Sequence, residues 1–172
     1  MRIHDLLYIL ILCLCVGCNK TVTQPPPVNP APESTSRAQP KLPILQLWIG
    51  PHAFTAEVAR SAQQVQTGMM HRREMAEDEG MLFVFPVPHR ASFYMRNTVL
   101  PLSCAYLDGE GVILEIHDMK PLDETPIQAS ADNVQFVLET RQGWFQRHQI
   151  EVGTVIRAER GSLRDVFFRR SR

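Results

Sequence analysis

Five consecutive apolar residues, Met81-Leu-Phe-Val-Phe85, stand in the middle of the chain with no polar residue between them. A strand with one wet face alternates apolar and polar side chains, because successive Cβ atoms point to opposite faces of the pleat. An unbroken run of this length instead predicts a central strand covered on both faces. Pro86 and Pro88 lack the N–H that a ladder needs and predict where the strand stops. A fold for this chain must therefore place apolar material on both sides of that strand.

The flanking sequence supplies it. Ile44 to Ile49 is a second apolar run, Gly50-Pro51-His52 reads as a turn, and Phe54, Ala56 and Val58 alternate with Thr55 and Glu57, which predicts a hairpin. Ser61 with Gln64 three residues on fits a capping box; Ala62, Val65 and Met69 share one face, and Gly68 lies at the expected end of a short helix. The charge-rich stretch His71 to Gly80 reads as a solvated loop.

Beyond the central run, alternation in Leu102 to Leu107 puts Leu102, Cys104 and Tyr106 on one strand face, and Gly109-Glu110-Gly111 turns the chain into Val112 to His117 as a second hairpin. A looser stretch, Lys120 to Asp132, leads to Asn133 to Thr140 with Val134, Phe136 and Leu138 facing in. A helical piece around Gln142 to His148 and a strand near Gly153 to Arg157 follow. No βαβ alternation is visible. The expected class is α+β, predominantly β: a single compact domain of mixed or antiparallel strands, barrel-like or strongly curved, with short helices. At 172 residues, 44% hydrophobic and 21% charged, the chain suits one such core better than two.

The first 43 residues read differently. Leu6 to Val16 is apolar, yet at about 1.5 Å of helical rise per residue it covers only about half of a bilayer core, so it reads as the core of a signal peptide spanning 1–17. Small Gly17 precedes Cys18, the expected lipid acceptor. Cys15 stands where Leu is preferred in such a cleavage motif, and Asp5 dilutes the basic start. An uncleaved anchor or ordinary cleavage remain the alternatives. Acyl chains contribute about 0.8 kcal/mol per buried methylene, so several hold a protein on a membrane. Asn19 after the cysteine resembles the outer-membrane sorting pattern of Gram-negative lipoproteins. Thr21 to Pro43 holds seven prolines with Gln, Asn, Ser, Thr and Ala between them, and is expected to be an extended tether, so 18–43 is assigned to the lipidated cysteine and tether, 44–158 to the globular domain and 159–172 to a basic tail. The C-terminal stretch Arg157 to Arg172 carries six arginines and is expected to be frayed and solvated, the alternative being contact with an anionic surface.

With Cys13 and Cys15 removed and Cys18 modified, Cys104 is the one cysteine left in the domain, where a buried small hydrophobe is the expected role.

Several motifs occur in a specific order: Gly68-Met-Met-His-Arg72, Gly80-Met-Leu-Phe-Val-Phe85, Phe93-Tyr-Met-Arg-Asn-Thr-Val-Leu-Pro-Leu102, Phe136-Val-Leu-Glu139, then Gly143 and Gly153. Together they resemble the family called domain of unknown function 192, over about Ala53 to Arg157. The resemblance implies a compact β-rich fold with short helices, frequent export, and no established activity or catalytic residues. Tyr94, Arg96 and Ser103 stand where Trp, Lys and Asp are usual in the family.

Arg96-Asn97-Thr98, polar side chains between apolar triplets, form the first candidate ligand-binding set: Arg offers a fork for carboxylate or phosphate, Asn an amide, Thr a hydroxyl. The competing reading is a turn at Asn97 and Thr98 with Arg96 paired to Glu139 or Asp108. Glu139 and Trp144 complete the candidates, as a ligand contact and a stacking surface, or as a paired charge and a core aromatic.

The remaining chemistry is negative. None of the six histidines lies at i+2 or i+4 from another, so no metal pair is expected. Successive strand positions put His117 and Asp118 on opposite faces. No phosphate loop or nucleophile elbow occurs and the domain holds no CxxC, so no cofactor is expected. Folding could bring Glu115 beside Glu139, which sequence cannot decide. The formal charge is zero, which gives no case for nucleic acid. The expectation is therefore a non-catalytic envelope module, held to the membrane through Cys18 and binding an envelope glycan or acidic small molecule. The alternatives are a scaffold without a small-molecule site, and a hydrolase or transferase using Glu139, Arg96 or Cys104.

Overall fold

Ile44–Ile49 (β1) and His52–Ala59 (β2) form the antiparallel hairpin the alternation implies, with Leu47 opposite Phe54. The computed structural model describes residues 37–169, so the signal peptide, Cys18 and most of the tether lie outside the described residues. The tether was expected to run to Pro43, but its last residues are tied to the domain. Gln39 Nε2 donates to the carbonyls of Gln64 and Gly68, at 3.2 and 2.8 Å. Leu42 N donates to Glu57 at 2.8 Å.

Ala62–Thr67 (α1) follows β2. Its capping box is formed: Ser61 Oγ accepts from Gln64 N at 3.2 Å, and Gln64 Oε1 accepts from Ser61 N at 3.0 Å. Gly68 ends it with φ +46°, a backbone that a Cβ would strain, with Phe83 only 3.3 Å from where that Cβ would stand.

After the loop comes Glu79–His89 (β3), which pairs parallel with β2. The chain thus contains one β–α–β connection, β2-α1-β3, where none was expected. The helix itself is legible, but the long loop behind it hides the direction in which the chain re-enters the sheet. The strand also runs through Pro86 and Pro88 instead of stopping. Its pairing with Val134–Arg141 (β8) shifts register between Val84 and His89, and at such an irregularity prolines are tolerated.

Leu102–Leu107 (β5) and Ile113–Met119 (β6) make the second hairpin, with β5 also paired to β8. Its register shifts between Tyr106 and Leu107, which turns Ile113 rather than Val112 inward. Ser92–Phe93 (β4) and Ile127–Gln128 (β7) form a separate two-stranded ladder. Trp144–Arg147 (α2), Ile156–Ala158 (β9), Gly161–Ser162 (β10) and Leu163–Phe168 (α3) complete the described chain. The C-terminal segment expected to fray is folded as far as Phe168: Ser162 Oγ caps α3 through Asp165 N, Leu163 is fully buried, and Phe167 and Phe168 pack on Phe136.

The main sheet has eight strands in the order β10-β9-β1-β2-β3-β8-β5-β6 and is not closed into a barrel. The class is the expected one, mostly strand with short helices and mixed pairing. Apolar side chains cover both faces of β3, β5 and β8. One layer holds Leu47, Phe54, Leu82, Leu138, Trp144 and Phe145. The other holds Met81, Phe83, Met95, Cys104, Tyr106 and Val137. This is the two-sided burial that the run Met81 to Phe85 implies. Among the described residues, no helix is long and apolar enough to cross a membrane.

Candidate functional site

The second layer is incompletely filled. Between the C-terminal half of α1, β3 and the segment after β4 lies a cavity of about 170 Å³. Four aromatic side chains, Phe83, Phe85, Phe93 and Tyr94, line it together with Met69. Phe83 and Phe93 meet edge to face with ring centroids 4.9 Å apart, and Phe85 meets His89 at 4.5 Å.

Glu139 is the one acid lining this cavity, and the lining contains no lysine or arginine. It lies on β8 opposite Met81 of β3 and Cys104 of β5, and only 4% of its surface is exposed. Its Oε2 is buried with no hydrogen-bond partner. A buried charge without a partner is costly, so burial pushes the Glu139 carboxyl from 4.5 up to about 8 and holds it protonated near neutral pH. Thr98, buried at the same cavity, donates its hydroxyl to the Arg96 carbonyl at 3.2 Å, which leaves its oxygen lone pairs as acceptors.

The other sequence candidates lie elsewhere. Arg96 is exposed, does not line the cavity, and makes no ion pair among the described residues; its guanidinium sits 5.4 Å from the centroid of the Tyr94 ring. The expected tie to Glu139 or Asp108 is absent from those residues. Asn97 is exposed and adopts φ +56°, and its carbonyl accepts from His71 N at 2.8 Å. Asn97 and Thr98 do make a turn, closed by Thr98 N donating to Met95 O at 3.0 Å.

Trp144 is fully buried in the opposite layer, stacked on His148 at 4.2 Å, with Nε1 donating to Asp78 at 3.0 Å. It is a core aromatic and offers no stacking surface. Glu115 is not brought to Glu139: its carboxylate accepts from Ser130 N at 2.8 Å and meets His117 Nε2 at 3.0 Å, away from the cavity. Cys104 is fully buried, and burial, with the Glu139 charge behind it, pushes its thiol up to about 12. It is a neutral packing residue. Among the described residues no cluster of three or more His, Cys, Asp or Glu side chains could hold a metal.

Sequence reasoning missed the aromatic wall. Phe83 and Phe85 read only as core, and Phe93-Tyr94 only as apolar neighbours of Arg96. The loop His71 to Gly80, taken as solvated, is also better anchored than expected: Arg72 turns inward to Glu57 at 2.8 Å, and Glu77 holds Arg147 at 2.6 Å.

The residues framing this cavity are those of a known family. Residues 45–158 match the family DUF192, described as Uncharacterized ACR. The chain belongs to the DUF192 family. Two solved structures of similar fold are both 32% identical to it. One, from Novosphingobium aromaticivorans, is a protein of unknown function, with 76% of this chain and 94% of that chain covered at a TM-score of 0.65. The other, from Sinorhizobium meliloti, is a protein proposed to be a transcription regulator, with 67% and 92% covered at a TM-score of 0.63. Among curated proteins, none matches this chain.

Proposed function

We propose that this DUF192 member is an exported, lipid-anchored module that binds a small ligand in the cavity above Glu139. The buried, unpartnered Glu139 Oε2 at an aromatic-walled cavity carries this reading. Buried polar atoms nearly always find partners, and an unpartnered carboxyl oxygen on a residue that lines a cavity is a place for a ligand atom. At about 170 Å³ the cavity is below the range of about 300–1,000 Å³ that suits drug-sized ligands, so the ligand is a small molecule rather than a length of envelope glycan. Cys18 and the proline-rich segment after it support the anchoring.

A second reading, a hydrolase or transferase, draws on the same raised carboxyl, which would serve as a general acid. Its other named group, Cys104, is a neutral thiol and supplies no nucleophile. The sign of the Sinorhizobium protein's proposed role finds no counterpart here, because a formal charge of zero offers no attraction to nucleic acid.

Two experiments test the proposal. In a thermal-shift screen of small polar aromatics, stabilisation of the wild type that is lost in Ser92→Trp, which fills the cavity mouth, and kept in Arg96→Ala supports it. A screen without any stabilising compound counts against it. For the anchor, fatty-acid labelling of the wild type must disappear in Cys18→Ala; unchanged labelling removes that half of the proposal.

A further inference from the structure

The cavity also selects a class of ligand, an inference that rests on its being a ligand site. We infer that it takes a small organic ammonium ion, with the apolar body against Phe83, Phe85, Phe93 and Tyr94 and the nitrogen at the carboxylate of Glu139.

Three observations converge on this. The most buried polar side chains lining the site are Glu139, whose unpartnered carboxyl accepts N–H bonds once it gives up its proton, and Thr98, whose hydroxyl proton is already donated to Arg96 O. An ammonium group brings N–H donors and nothing else, so it satisfies both. The lining has no lysine or arginine that would favour an anion, and Arg96, the nearest candidate by sequence, lies outside it. Four aromatic rings stand in the wall, and aromatic rings attract cations, most strongly where water is excluded. A volume of about 170 Å³ limits the ligand to one ring or a short chain, since a cavity of about 150 Å³ is known to admit benzene.

Binding carries a proton signature. The empty site holds Glu139 protonated up to about pH 8, so an arriving ammonium ion sends that proton to solvent. The groups facing Glu139 do not compete for it: Met81 of β3 is apolar, and Cys104 of β5 stays a neutral thiol up to about pH 12. His89 and Tyr94 also line the cavity. Because a histidine can change charge near neutral pH, His89→Gln is the necessary control.

Calorimetric titration of the full chain with benzylamine, benzyl alcohol and benzoate tests the inference. These probes share one apolar body and differ in charge. Benzylamine is expected to bind about tenfold or more tighter than benzyl alcohol, with benzoate weakest, and Glu139→Gln to cut benzylamine affinity about 10- to 100-fold while leaving benzyl alcohol nearly unchanged. Wild-type affinity for benzylamine should rise roughly tenfold per pH unit below about pH 8, with the same slope in His89→Gln. This slope decides the matter even if Glu139→Gln fails to fold. Benzyl alcohol binding as tightly as benzylamine, with Ser92→Trp abolishing both, overturns the ammonium assignment and leaves the cavity as a ligand site. Binding by none of the three overturns both.

Discussion

His71 donates its backbone N–H to the carbonyl of Asn97 at 2.8 Å, and both residues hold left-handed backbones, with φ +62° and +56°. This bond fastens the turn after α1 to the segment after β4, two stretches that line the same cavity as Glu139. It joins the two sequence motifs Gly68 to Arg72 and Phe93 to Leu102 at one point. Left-handed φ costs a β-branched residue about 1–2 kcal/mol, whereas glycine adopts it freely. Asn97→Val is therefore expected to lose about 1–2 kcal/mol in urea unfolding, and Asn97→Gly less than about 0.5 kcal/mol. Equal losses in the two variants would mean that the side chain, not the backbone, matters at this position.

Glu139 makes stability depend on pH. Its folded pKa is raised from 4.5 to about 8, so the folded state holds a proton that the unfolded chain releases. The protonated carboxyl's stability is fully present below about pH 4.5 and is lost as pH rises through about 8, on the order of a few kcal/mol in all. Glu139→Gln keeps the shape without the charge. Unfolding free energies measured from acid to mildly alkaline pH should fall for the wild type across this window and stay nearly flat for the variant.

Gly80 lies between β2 and β8 where a Cβ would stand 2.0 Å from the Glu139 carbonyl oxygen and 2.9 Å from the Phe54 ring. Backbone cannot yield as a flexible side chain can. Gly80→Ala is expected to cost about 3 kcal/mol or more, read as a lower denaturation midpoint, because overpacking forces the strands apart.

Ser103 is buried between two polar groups. Its hydroxyl donates to Asp118 across the β5–β6 ladder and accepts from Gly143 N at 2.8 Å. Ser103→Ala leaves that N–H without its partner and should cost about 1–3 kcal/mol. Ser103→Asp sets two carboxylates face to face and should destabilise further, while the exchange Ser103→Asp with Asp118→Ser should recover most of the loss in a double-mutant cycle. Failure of the exchange to recover stability would show that the acid cannot move from one strand to the other.

Local signals were legible and long-range ones were not. The β1–β2 hairpin, the Ser61–Gln64 box and the burial of Met81 to Phe85 follow from residues within a few positions of one another. The parallel pairing of β2 with β3 is invisible because the helix between them is legible but the long loop after it leaves the direction of the next strand open. The same distance hid the cavity. Glu139 and Thr98 each stand out in the sequence, but their aromatic wall comes from β3 and from Phe93-Tyr94 at the end of β4, where each aromatic alone looks like ordinary core or an apolar neighbour. Arg96 illustrates the converse error: its polar character among apolar neighbours suggested a site, and the left-handed turn at Asn97 leaves it on the surface.

Two-sided burial makes the lengths of β3, β5 and β8 unforgiving. Side chains alternate strictly along a strand, so one residue inserted or deleted there reverses every position beyond it. A deletion before Leu138 in β8 would send Glu139 toward the layer of Phe54 and Trp144 and bring Leu138 or Thr140 over the cavity. Members of this lineage can therefore vary in the linker before Ile44 and in their hairpin turns, while an insertion or deletion within these three strands would erase core and pocket in one step.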